Sequence, residues 1–219
     1  VIFAPLSFAM FFRSISYIKF LLKSTNQHGV HSPFVYDLVT KCFYKKTNKV
    51  KATSLTLYKQ KLKNNHKKIE VIDFGAGSKI FKSNNRKVSL IAKHAGVSKK
   101  NAALLARLTE YFSLNSILEI GTSLGIGTAA LHIGNSDAKI TTLEGCPETA
   151  NIAKKQFEKF QSKSINLIIG EFSKTLQKVT IDETYDLIYF DGNHKKTPTL
   201  EYFETCLKSI HNDSVFIFD

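Results

Sequence analysis

The sequence predicts an α/β fold: a doubly wound, mostly parallel sheet with helices on both faces, preceded by a basic, mainly helical N-terminal region. Two observations carry this expectation. From residue 117 onward, apolar runs near 117–121, 139–144, 165–169, 185–190 and 214–218 alternate with helical periods near 125–133, 147–161, 173–178 and 197–210. Strands that alternate with helices are joined by crossovers, which give a parallel sheet covered on both sides. The second observation is the segment Ile117-Leu118-Glu119-Ile120-Gly121-Thr122-Ser123-Leu124-Gly125. It reads as a buried strand with an acid near its end, then a glycine-bearing turn opening a helix of small residues (Gly127, Thr128, Ala129, Ala130).

The upstream elements follow from local signals. Residues 1–12 are apolar, but Arg13 and Lys19 follow that run instead of preceding it, and no small-residue cleavage site appears. The run is also too short to cross a bilayer. Met10 is the only methionine, so either it is the natural start or the sequence is a fragment, with 11–23 expected as an amphipathic helix. Ser32 and Pro33 suit the cap and first position of a helix running to Phe43. A lysine-rich stretch fills 44–68, and helices are expected over 86–96 and 98–112. Ser98 caps the second, which places Ala103, Leu104, Leu108 and Phe112 toward the core. The expected division is a basic N-terminal region, 1–97, and a sheet domain, 98–219. The 219 residues, 43% of them apolar, suffice for one such domain with an appendage.

Charge is unevenly distributed. Residues 1–110 hold 21 Lys and Arg against 4 acids, whereas 111–219 hold 10 against 14. Ten lysines fall within 41–68, and no acid lies between Asp37 and Glu70. Such a run reads first as solvated helix faces, because it has few aromatics (Phe43, Tyr44, Tyr58) and lacks the arginines that bidentate phosphate contacts favour. A nucleic-acid surface on the basic N-terminal half is the alternative. Cys42, Cys146 and Cys206 are scattered without metal-site spacing, which suits a reducing cytoplasm. His28 and His31 stand three apart with no third ligand nearby and read as a turn.

The chemistry concentrates after residue 117. A turn of this form aims backbone N–H groups and a helix N-terminus at a ligand beyond the strand. The next strand ends on Glu144, 25 residues after Glu119, where a carboxylate can accept both hydroxyls of a ribose. Glycines 121, 125 and 127 do not form the G-x-G-x-x-G of dinucleotide folds. Residues 69–77 (Ile69-Glu70-Val71-Ile72-Asp73-Phe74-Gly75-Ala76-Gly77) are a rival, with their own strand, acid and glycine turn. The polar segment 78–87 that follows them offers no small-residue helix, and no acid appears between Asp73 and Glu110 to end a next strand. They are therefore expected to form a structural or substrate-side loop. A third constellation, Tyr185 to His194, delivers Asp191, Asn193 and His194 to the end of a buried strand.

These residues resemble the class I S-adenosylmethionine-dependent methyltransferases, whose first motif is a strand, an acid, then x-Gly-x-x-x-Gly. Residues 185–194 resemble the matching stretch of the small-molecule O-methyltransferases of the catechol and caffeoyl-CoA type. The resemblance covers 98–219 and implies a Rossmann-like domain with S-adenosyl-L-methionine as donor. It implies donor-binding roles for Glu119, Gly121, Thr122, Ser123, Gly125 and Glu144, with Glu171 and Phe172 beside the adenine. It implies catalytic roles for Asp191 and His194 on a small-molecule acceptor. In metal-dependent members, the ligands map to Asp191 and Asp219, but Asn193 replaces a common family acid, so a divalent metal is not favoured. The alternatives are a nucleic-acid methyltransferase, weakened by the lack of an Asn/Asp-Pro-Pro-Tyr motif, and a non-catalytic Rossmann-like module. The family has two further strands, so the chain is expected to be truncated at its C-terminus.

Overall fold

The computed structural model describes residues 6–24, 26–75, 77 and 80–219, with side chains from residue 11 onward. It separates into two compact units, one ending at Lys45 and one running from Lys46 to Asp219.

The first unit contains helix α1 (Leu6–Lys23), a 3-10 turn (Gln27–Gly29) and helix α2 (Pro33–Asp37), which continues as a π-helical turn over Leu38–Phe43. Ser32 caps α2 as expected, its hydroxyl accepting the Val35 N–H at 3.4 Å. Helix α1 begins before Met10, and residues 1–5 lie outside the described residues. His28 and His31 are exposed, and the His28 ring meets the Gln27 amide at 3.2 Å. Among the described residues, no helix is long and apolar enough to cross a membrane.

The second unit opens with α3 (Lys49–Lys63), a hairpin of β1 (Lys68–Glu70) and β2 (Asn85–Lys87), α4 (Val88–His94) and α5 (Lys99–Tyr111). Strands and helices then alternate: β3 (Ser116–Ile120), α6 (Ile126–Gly134), β4 (Lys139–Glu144), α7 (Pro147–Lys159), β5 (Ile165–Ile169), α8 (Phe172–Val179), β6 (Leu187–Phe190), α9 (Lys196–Cys206) and β7 (Val215–Phe218). The compact unit thus begins at 46, where the sequence suggested 98. The reason is burial: Leu55, Tyr58 and Leu62 of α3, Ile69 of β1 and Val88 and Ile91 of α4 share one core with Ile117, Ile140 and Leu187. The lysines of α3 lie around this apolar stripe, and two of them bond within the unit: Lys51 to the Gly134 carbonyl (2.8 Å) and Lys59 to that of Val97 (2.6 Å).

Helix α5 is rotated from its expected setting. Ala102, Leu105, Ala106, Leu108 and Thr109 are buried, while Ala103 and Leu104 are only half-buried. Helix α6 dictates this, because it crosses so near that a methyl group on Gly134 would lie 2.6 Å from both the Ala106 carbonyl oxygen and Thr109 Cβ. Close helix crossings favour small residues on both partners.

The five long-chain strands form one parallel sheet in the order β5-β4-β3-β6-β7. Side chains alternate between its faces. Ile117, Ile140, Leu187 and Tyr189 join the core that includes α3 to α6. Leu118, Ile120, Leu143, Ile188 and Phe190 join Leu176, Tyr202 and Cys206 under α8 and α9. The chain leaves β3 toward β4 on one side and later returns to β6 on the other. The carboxyl ends of β3 and β6 therefore flank the point where strand order reverses, the usual ligand crevice of such sheets.

Candidate active site

The turn after β3 is held from several sides. Gly121 and Thr122 donate their N–H groups to the Leu143 carbonyl (2.9 and 3.0 Å), and Asp191 donates to that of Ile120 (2.9 Å). Gly121 sits at φ +107°, and a methyl group there would lie 2.5 Å from the Asp191 carbonyl oxygen. No other residue type fits that crossing. Gly125 caps α6 in the left-handed region. From the lysine-rich α3, the buried Tyr58 hydroxyl donates to the Leu124 carbonyl at 3.1 Å and so supports the turn from behind. The Lys/Asn composition around Tyr58 hid this role in the sequence.

Glu119 is fully buried behind the turn, not in the cavity. Its Oε2 accepts hydrogen bonds from the Thr128 hydroxyl and from that of Thr142 (2.6 Å), and Thr142 in turn meets Thr122 at 2.6 Å. Its Oε1 has no partner. Burial pushes the Glu119 carboxyl up to about 8, against the pull of the two threonines. Glu119, through its Oε2, and Thr122 therefore buttress the turn from within the protein.

Glu144 is placed differently. Its Oε2 accepts the Ser123 N–H at 2.6 Å and its Oε1 the Cys146 N–H at 2.9 Å. Burial raises its pKa, and these backbone donors offset part of the rise. The Gly145 backbone and the Thr149 side chain add to this offset. Glu144 lines a cavity of about 410 Å³ together with Gly121, Ser123, Gly145, Phe172, Asp191, Gly192, Asn193 and His194. Of the residues singled out in the sequence, Gly121, Ser123, Glu144, Phe172, Asp191 and His194 meet there. Thr122, Gly125 and Glu119 do not. Glu171 is also absent: its side chain is exposed and paired with Lys174 at 3.0 Å, which holds its pKa low. The Phe172 ring packs edge-on to Tyr202 and against Gly192.

At the end of β6, Asn193 and His194 both adopt positive φ (68° and 53°). Consecutive non-glycine residues there cost on the order of 1–2 kcal/mol each. The pair is held by the Asn193 amide donating to the Tyr202 hydroxyl (3.1 Å) and by His194 N–H donating to the Gly192 carbonyl (2.9 Å). Asp191 is pushed up to about 7, mainly by burial, with the Asp219 charge adding to the rise and a hydrogen bond from Tyr189 opposing it. Ligand atoms of Asp191, His194 and Asp219 lie within 4.8 Å of one another.

The other wall of the cavity comes from upstream of the alternating region: Val71 to Gly75, Gly77, Ile80, Arg86, Ile91 and His94. The sequence signal for it was the rival glycine turn itself, which was assigned away from the donor.

Comparison with known proteins fits this architecture. Residues 118–219 match a family described as a methyltransferase domain. A curated protein of Mycobacterium sp. (strain JLS), provisionally assigned as an O-methyltransferase, is 33% identical over 99 residues. That match spans 44% of this chain and 43% of the relative, less than half of either. A methyltransferase from Podospora anserina, solved with S-adenosylhomocysteine bound, aligns with a TM-score of 0.59 at 18% identity, over 90% of this chain and 72% of that one. An O-methyltransferase from Bacillus cereus in complex with the same ligand gives 0.54 at 23% identity, over 85% and 72%. At these identities the structural likeness is one of fold. Residues 118–219, somewhat less than half of the chain, thus match a methyltransferase domain, and the sheet has the Rossmann-like fold of solved methyltransferases.

Proposed function

We propose that this chain binds S-adenosyl-L-methionine and transfers its methyl group to an oxygen of a small-molecule acceptor. The observation that carries the proposal is Glu144: a carboxylate fixed by backbone N–H groups and facing a cavity at the switch point of a parallel sheet. That geometry suits the two hydroxyls of a ribose. The methionine half would then lie along Gly121 to Ser123, where the missing side chain at Gly121 leaves the backbone bare.

When bound, S-adenosylmethionine supplies a methyl group on a sulfonium that departs as a neutral thioether. The protein's own work is alignment, because in-line displacement depends on the approach of the acceptor oxygen. A hydroxyl acceptor must also lose its proton as the new C–O bond forms. Asp191, with its pKa near 7, and the adjacent His194 are the groups suited to take it. One observation favours a second reading. The clustered Asp191, His194 and Asp219 form a mixed oxygen and nitrogen donor set that a divalent cation would fit. The metal-free reading is preferred here, because Asn193 stands where the resembling family commonly has an acid. The buried thiols of Cys146 and Cys206 agree with a reducing compartment, and we place the protein in the cytoplasm.

The reading is tested by calorimetry with three ligands. S-adenosylhomocysteine should bind in a 1:1 complex, and NADH and NADPH should not. Binding of either nicotinamide cofactor without S-adenosylhomocysteine would refute it.

A further inference from the structure

Residues 71–75, which follow β1, line the cavity and are tied down at both sides of the crevice. On the β4 side, the Ile72 N–H donates to Cys146 Sγ at 3.4 Å, and the Cys146 thiol reaches the Glu70 carbonyl at 3.7 Å. The Phe74 ring lies directly on Gly145, where a methyl group would come within 2.8 Å of it. On the β6 side, a methyl group on Gly75 would lie 2.7 Å from the Asn193 carbonyl oxygen. At Gly75 glycine is required because a backbone fills the place of a side chain, whereas the bare face of Gly145 is where the Phe74 ring rests. The Asp73 carboxylate accepts the Gly75 N–H at 3.1 Å and pairs with Arg86 of β2 at 3.6 Å. Arg86 also lies over the Phe81 ring, 5.0 Å from its centroid. These contacts fix residues 71–75 as a strap between the ends of β4 and β6.

Phe74 is 53% exposed, and it lines the cavity beside Glu144 and Gly145. An aromatic face held next to the carboxylate that suits a ribose is placed where it can cover a nucleoside. We propose that residues 71–75 are the roof of the donor site and that Phe74 contacts the nucleoside half of the donor. The inference rests on the donor reading given above and extends it to a segment outside the matched methyltransferase domain. Phe74 is then a binding residue, and Asp73 acts through Arg86 to position it.

Base–aromatic stacking is worth about 1–3 kcal/mol by alanine substitution, so loss of the ring should cost roughly tenfold in affinity. The test is calorimetry of the full chain with S-adenosylhomocysteine and with 5′-methylthioadenosine, which keeps the nucleoside and lacks the amino acid. Phe74→Ala should weaken both ligands by the same factor, about tenfold, and Phe74→Tyr should restore both. Melting temperatures within about 2 °C of wild type would show that an exposed ring has been removed without loss of fold. Unchanged affinity in Phe74→Ala, with wild type still binding, would overturn the roof while leaving the donor site intact. A loss confined to S-adenosylhomocysteine would also overturn it, since the nucleoside would not be the part contacted. Failure of the wild-type chain to bind either ligand would overturn the donor reading, and the roof with it.

Discussion

Residues 69–77 and 117–125 carry the same local signature, a short apolar run, an acid and a glycine turn, yet they fold into different things. The second is the central strand of a parallel sheet and the start of a buried helix. The first is one edge of a two-stranded antiparallel hairpin. The acids differ as well: Glu119 is sealed under its turn, whereas Asp73 is partly exposed and pairs with Arg86. What separates them lies downstream. Ile126 to Gly134 offers small and apolar residues that pack tightly on α5 and β3, so its strand is drawn into the core. Residues 82–85 and Lys87 offer polar and charged side chains that stay at the surface. A glycine turn is therefore defined by the element it opens. Both turns nevertheless reach the same cavity, from opposite sides.

The largest contrast should come from the glycines. Gly121→Ala places a methyl group 2.5 Å from the Asp191 carbonyl at φ +107°, whereas Gly77, at φ +78°, has no atom of the described residues within 4 Å of its added carbon. Gly121→Ala should cost about 4 kcal/mol through clash and strain together, and Gly77→Ala about 1 kcal/mol through strain alone. Urea midpoints would measure both. Equal losses would mean that the two turns are equally constrained, contrary to the packing described.

The buried acid gives the next effect. The folded state holds the Glu119 proton up to about pH 8, while the unfolded chain releases it near 4.5. The raised folded value means that stability attributable to this group is complete below the unfolded pKa and is lost as pH rises toward the folded one. The slope is about 1.4 kcal/mol per pH unit for one proton. Glu119→Gln keeps the acceptor for Thr128 and Thr142 and has no proton to lose. Its stability relative to wild type should therefore improve by about 2–3 kcal/mol between pH 5 and pH 7. Parallel stability curves for the two proteins would show that Glu119 is ionised in place.

The smallest effect concerns the metal. With Asp191 and His194 working as proton acceptors, methyl transfer to an acceptor found by screening should persist in EDTA at within about twofold of the untreated rate. Loss on chelation and recovery with Mg²⁺ or Mn²⁺ would make Asp191, His194 and Asp219 ligands instead.

Much of the sheet domain was legible because its signals are local. The period change at 117, Pro147 at the start of α7 and the glycines around β3 each act within a few residues of where they stand. The placement of Glu144 at the cavity was legible because it ends the strand paired with β3, beside the glycine turn. What the sequence concealed depends on long-range packing. Tyr58 reaches Leu124 across 66 positions, and nothing in the lysine-rich run around it announces that contact. The rotation of α5 is set by Gly134, on another helix. The strap at 71–75 touches Gly145 and Asn193, residues far along the chain, so its glycine turn could be recognised but not its destination. Glu171 looked equivalent to its neighbour Phe172, but Lys174 one turn on holds its side chain in solvent.

The most direct test of the account compares the acids of the two turns' neighbourhoods as ligands for the donor. S-adenosylhomocysteine affinity should be measured by calorimetry for wild type, Glu144→Ala and Asp73→Ala. Removing Glu144 leaves the ribose hydroxyls without a charged acceptor, a loss of about 1.5–3 kcal/mol, so affinity should fall at least tenfold. Asp73→Ala only loosens an ion pair that positions the strap, a partly exposed interaction worth at most about 1 kcal/mol, and should cost about threefold or less. Unchanged affinity in Glu144→Ala, or a loss in Asp73→Ala that equals or exceeds it, would contradict the assignment of the donor to the turn after β3.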